Sequence, residues 1–203
     1  MKHPASQELF AYWQAKRGSR PAPERADIEP GAIRGALSDA FILALDHDVA
    51  GHPVRLAGTR VCALFGRELK GEPFLDLWAK ASRSTMADLL AILADEFIGT
   101  VAGVAAQNRS GEAIDLEVLL LPVGTRRPKF ARAIGVLAPL SVPPWLGLSP
   151  IGALTLGNRR HVGAALERRL VPRFMAPRGR RGLLVYEGGR STPPNGDNGP
   201  SVA

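Results

Sequence analysis

Two groups of side chains and one lone thiol in this sequence have the types that chemistry requires. Asp46, His47, Asp48 and His52 fall within one short stretch, and imidazoles beside carboxylates are ligands that a divalent cation accepts. Their spacing matches no established metal motif, and on a polar turn Asp46 and Asp48 serve local backbone amides instead, so no metal is expected. Glu68, Glu72 and Asp76 are near neighbours in sequence, but a general acid and base must be held together at the reacting atom. Spread over a turn and two short helices, these three read as a solvated face. Cys62 lies between Val61 and Ala63 on an apolar helical turn, where an inert, buried thiol is the ordinary case. Gly147-Leu148-Ser149-Pro150-Ile151 lacks the second glycine of a nucleophile elbow, and neither GxxxxGK[ST] nor HExxH occurs. No catalytic residue is expected, and a small enzyme of unidentified reaction stands as an alternative reading.

Charge supplies another alternative. Residues 1–157 hold 17 Lys+Arg against 16 Asp+Glu, whereas residues 158–203 hold 9 against 3, so the +7 net charge belongs almost wholly to the C-terminal part. Arg159, Arg160, Arg168, Arg169, Arg173, Arg178, Arg180 and Arg181 could touch nucleic acid or an anionic surface. Only Phe174 and Tyr186 are interleaved with them, which provides poorly for base stacking. The favoured reading of residues 141–203 is a basic, largely irregular, weakly ordered tail, with disorder over 191–203.

The elements that would carry these groups follow from apolar spacing. Ser6 is the expected N-cap of an N-terminal helix in which Leu9, Phe10, Tyr12 and Trp13 crowd two turns, before Lys16, Arg17 and Gly18 close it. These aromatic faces must be buried, either on the chain's own domain or against a second protomer; the second reading makes Leu9, Phe10, Tyr12 and Trp13 a homodimer contact. A short helix over 27–37 starts at Pro30. Strands are expected over 41–46 and 54–59, joined by a hairpin turn. Thr59 then caps a short helix bearing Val61, Leu64 and Phe65, and Gly66 ends it. Gly71 and Pro73 open a second short apolar element with Phe74, Leu75, Leu77 and Trp78. Met86, Leu89, Leu90, Leu93 and Phe97 mark a long helix over 82–98, capped by Gly99. Strands over 101–108, 113–121 and 130–140 follow, linked by a tight hairpin at 109–112 and a basic loop at 124–128. Beyond residue 140, a short basic helix over 161–170 and a strand-like run over 182–186 are the only regular elements expected.

The central stretch carries a family signature. Arg55-Leu56-Ala57-Gly58-Thr59, then Phe65-Gly66, then Gly71-Glu72-Pro73-Phe74 resembles the first half of a PAS domain in order and spacing, and is closest to small bacterial proteins made of one such domain. The resemblance covers about 37–139. It implies an α+β fold with a PAS-like five-stranded antiparallel sheet and its helices on one face. The chain then divides into an N-terminal helical extension (1–36), the PAS-like domain (37–140) and the tail (141–203). The implied function is a non-catalytic sensory or regulatory module that binds a signalling protein and pairs as a homodimer. A small molecule could occupy a pocket lined by Leu56, Leu64, Phe65, Phe74, Trp78, Met86, Leu90 and Leu116; the competing reading is that side chains fill this core. In light-sensing relatives a reactive cysteine stands where Phe74 stands here, so covalent flavin chemistry is not expected. Haem-binding relatives take an axial histidine from the long helix, and His3, His47, His52 and His161 all lie outside it. No cofactor is therefore assigned. No apolar run reaches the roughly 20 residues of a membrane span, the first residues lack a secretory apolar region, and one cysteine allows no internal disulfide. A cytoplasmic location is the expectation.

Overall fold

The run Ala113–Val123 begins with polar and apolar residues in alternation and ends almost wholly apolar, the pattern of a strand buried on both faces. The structure, a computed structural model, describes residues 1–45, 51–124 and 132–163, and this run is its central strand, β4. Around it stand β1 (Ala40–Ala44), β2 (Val54–Ala57), β3 (Gly99–Gln107), β5 (Arg132–Pro139) and β6 (Thr155–Val162). They form one antiparallel sheet in the order β2-β1-β5-β4-β3-β6.

The sheet feeds two cores. Ile114, Leu116, Val118 and Leu120 of β4 join a cluster with α2 (Thr59–Phe65), α3 (Lys80–Glu96) and the 3-10 turn Phe74–Leu77. Leu119, Leu121 and Val123 point the other way, into a cluster with α1 (Pro4–Arg17). α2 and α3 share one face, as expected, and α1 covers the opposite one. We call these the inner and outer faces.

α1 begins at Pro4, two residues before the expected cap, because proline suits the first helical turn and the His3 side chain accepts the Ala5 N–H at 3.2 Å. The chain ahead of it is pinned by Glu117, a buried carboxylate on the outer face. Its oxygens accept the backbone N–H groups of Lys2 at 2.7 Å and His3 at 3.1 Å. Leu9 and Trp13 are completely buried in their own chain, and the Trp13 indole donates to the Pro122 carbonyl at 2.7 Å. Phe10 stacks on Trp13, and the Tyr12 hydroxyl donates to Asp27 O and accepts from Glu29 N. Gln7, Ala11 and Ala15 are left facing outward. Leu9 and Trp13 are thus covered without a second protomer, while Phe10 and Tyr12 remain half-buried.

Two further differences are local. The helix expected over 27–37 is a pair of 3-10 turns, Pro30–Ile33 and Leu37–Asp39, preceded by a third at Arg25–Asp27. α3 is closed by Phe97, not by Gly99. Phe97 adopts φ 57, and its ring is buried in the outer cluster, so burial holds a left-handed conformation that a bulky residue otherwise avoids. Gly99 is already the first residue of β3.

The largest correction concerns the chain after residue 140. β6 pairs with the free edge of β3, making six strands rather than five and placing residues 155–162 in the sheet rather than in an irregular tail. The connection to it is tied down: Ile151 N donates to Leu64 O, Ala79 N to Leu154 O and Leu154 N to Leu77 O, while Trp145 and Leu146 pack on the inner cluster. The hairpin turn at 46–50, most of the basic loop, nearly all of the helix expected over 161–170, and everything beyond lie outside the described residues.

Candidate functional site

The inner face is where the expected pocket residues meet. Leu64 and Phe65 come from α2, where Gly66 ends the helix at φ 64 and turns the chain away. Phe74 and Trp78 come from the following 3-10 turn and its cap. Met86 and Leu90 lie one turn apart on α3, and Leu116 faces them from β4. All seven are buried in one cluster. Its centre is aromatic: Phe41 stacks on Phe74 at 5.3 Å, and Phe74 meets Trp78 edge-on at 5.8 Å, arrangements that ring quadrupoles favour. Phe41 and Leu154 belong to this cluster and were not singled out. The alternation of residues 41–46 carried the signal for Phe41, whereas Leu154 had none.

One polar atom in this core is unsatisfied. The Trp78 indole N–H is buried and has no hydrogen-bond partner among the described residues, a condition that costs about 1–3 kcal/mol. In a small-molecule site, an apolar enclosure with one such donor fixes a ligand's orientation through an acceptor atom.

Leu56 does not belong to this site. Val54 pairs with Leu43, but Leu56 pairs with Ile42, so two steps along β2 match a single step along β1. This bulge at Arg55 resets the alternation, turning Val54 inward and Leu56 to the outer face, where it is 49% exposed.

The groups with reactive chemistry are held apart. Arg67 grips Glu72 through two hydrogen bonds, of 2.9 and 2.8 Å, which hold that carboxyl below the usual range. Asp76 pairs instead with Arg83 at 3.0 Å. Glu68 is 3.6 Å from the Cys62 sulfur, and burial first, then the nearby carboxylates, push that thiol upward. A raised thiol is a poor nucleophile. Asp39 is a buried carboxyl on the 3-10 turn before β1; burial raises it, partly offset by Arg60 at 3.1 Å. Asp46, His47 and Asp48 lie outside the described residues, and among the described residues no three His, Cys, Asp or Glu side chains converge as a cation site. His161 is near Thr100, its Nδ1 3.2 Å from the hydroxyl.

Comparison with known proteins gives one family. A model of the PAS domain matches residues 1–138, so the matched region takes in α1 as well as the sheet through β5. No curated protein matches the chain. Solved structures of similar fold include a light-oxygen-voltage domain studied with a flavin analogue, 13% identical over 55% of this chain and 83% of the other with a TM-score of 0.43. A PAS domain from Colwellia psychrerythraea is 13% identical over 55% and 98%, at 0.40. An RNA-binding light-oxygen-voltage receptor is 19% identical over 58% and 35%, at 0.41.

Proposed function

The chain belongs to the PAS domain family, and from that membership we propose that it is a non-catalytic sensory or regulatory module whose inner core receives a small molecule and whose surface binds a signalling protein. The observation that carries the ligand part is the orphaned Trp78 N–H inside an otherwise apolar, aromatic enclosure. Separate pairing of Glu72 and Asp76, and a thiol kept protonated beside Glu68, support a binding role over a catalytic one. Contact with a partner has a surface available in the loop before β6: Val142 and Leu148 are 81% and 84% exposed on a segment whose Trp145 and Leu146 are anchored in the core. No helix among the described residues is long and apolar enough to cross a membrane; a cytoplasmic location is part of the proposal.

Native mass spectrometry of freshly isolated protein, run beside Trp78→Phe, tests this reading. The expected result is a small-molecule adduct on the native chain that is weakened or lost in the variant, which keeps an aromatic ring of smaller size and deletes the donor. A native chain without adduct, together with a Trp78→Phe protein more stable than the original, would mean that the core is simply packed and the ligand reading is wrong.

A further inference from the structure

The outer face of the sheet is covered unevenly. α1 lies over β4 and β5, while at the β1–β2 end the 3-10 turns leave a groove of about 590 Å³. Strand register builds its floor. Leu56 pairs with Ile42, and Ile42 with Ile134, so these side chains form one apolar row across β2, β1 and β5. Ile28 and Pro30, from the segment after α1, provide a second apolar wall. Three arginines line the same groove: Arg25 from the 3-10 turn, Arg55 at the bulge and Arg132 at the start of β5. No acidic side chain among the described residues lines it, and neither Arg25 nor Arg55 makes an ion pair among them.

A groove of this volume is the size of a small-molecule site. Apolar walls favour an apolar body, and guanidinium groups favour a carboxylate, which matches their planar fork. Of the floor strands, β1 and β5 are each paired on both sides, and the outer edge of β2 is taken up at Val54, whose N–H donates to Glu72 O and whose carbonyl accepts from Gly71 N, so the groove offers the main chain of a peptide little strand edge. We propose that this groove is a binding site for a free amphipathic anion, a carboxylate on an aliphatic body. The carboxylate sits between Arg25 and Arg55, and the chain lies along Leu56, Ile42 and Ile134. The site is on the opposite face of the sheet from Trp78, so it stands or falls separately from a ligand in the inner core.

The test is titration of the full chain with decanoate below its micellar concentration, followed by calorimetry and by backbone amide shifts. Decanoate should bind at one saturable site and move the amides of Ile42, Leu56 and Ile134, while decyltrimethylammonium should not bind. Arg55→Ala and Arg25→Ala should each weaken decanoate about tenfold, the loss of one charge-assisted contact. Leu56→Glu, at an exposed position, should abolish binding with the circular dichroism unchanged. Equal affinity for the cationic amphiphile, undiminished binding in Arg55→Ala and Leu56→Glu, or shifts confined to the Trp78 side of the sheet would overturn the proposal. So would binding to anionic vesicles without binding of free decanoate, which would assign the arginines to a membrane surface.

Discussion

Trp13→Ala measures whether α1 is part of the fold. The substitution empties a fully buried ring site, deletes the 2.7 Å bond to the Pro122 carbonyl, and removes the ring that Phe10 stacks on and that Arg17 overlies at 5.4 Å. Truncating a buried tryptophan costs about 3–5 kcal/mol, against a total stability on the order of 5–15 kcal/mol for a domain. At about 2–4 °C per kcal/mol for a chain of this size, the thermal midpoint should fall by roughly 6–20 °C. Trp13→Phe keeps most of the apolar volume and loses the hydrogen bond, so its cost should be smaller, about 1–2 kcal/mol. The assay is thermal and urea unfolding followed by circular dichroism at two protein concentrations tenfold apart. Burial within one chain predicts a wild-type midpoint independent of concentration and a loss in Trp13→Ala that is the same at both. A variant within a degree of wild type would refute the reasoning. So would a wild-type midpoint that climbs with concentration and ceases to do so in Trp13→Ala, because the helix would then be stabilising a homodimer.

Two other expectations can be checked in the same instrument. Burial raises the Asp39 carboxyl above its ordinary value, so the folded chain holds that proton to higher pH than the unfolded one. The contribution is complete below the unfolded pKa and is lost as pH rises through the folded value. Asp39→Asn should therefore be more stable than wild type at pH 7, with the advantage shrinking toward pH 4; a less stable variant at pH 7 would show that the Arg60 pair outweighs desolvation. For Phe97→Gly, relief of the left-handed backbone gains about 1–2 kcal/mol, whereas losing the buried ring costs about 3–5 kcal/mol. The net should be a destabilisation of about 2 kcal/mol in urea unfolding, and a stabilised variant would mean that the ring contributes little.

Local elements were legible in the residues, and long-range placement was not. α2 was readable because its apolar face and its terminating Gly66 are local features, and so was the apolar face of α3. β6 was not, because Thr155–Val162 lies mostly exposed at a sheet edge; the information that makes it a strand is the free edge of β3. Glu117 sits within a largely apolar run, and only the fold reveals that its carboxylate accepts the N–H groups of Lys2 and His3 just ahead of α1. Gly58 was visible as part of a signature, but its reason is spatial: a side chain there would collide with the carbonyl oxygens of Leu37 and Ser38 crossing over it. In the inner site, the seven residues that the structure brings together share regular elements. Leu56 was misplaced because period-two counting from Val54 passes through a bulge, and no one-dimensional pattern shows where a partner strand slips by a residue.

The position of β5 gives the chain an assembly order. β5 lies between β1 and β4, so the early hairpin and the later β3–β4 pair cannot join until Arg132–Pro139 has been made. α1 waits as well, since Trp13 and its acceptor on Pro122 are 109 residues apart. At a synthesis rate of about 5–20 residues per second, that separation is roughly 5–20 s. For that interval Leu9 and Trp13 lack the β4 and β5 residues that cover them in the folded chain. Slow codons between β1 and β5 would lengthen that wait without altering a single contact in the finished molecule.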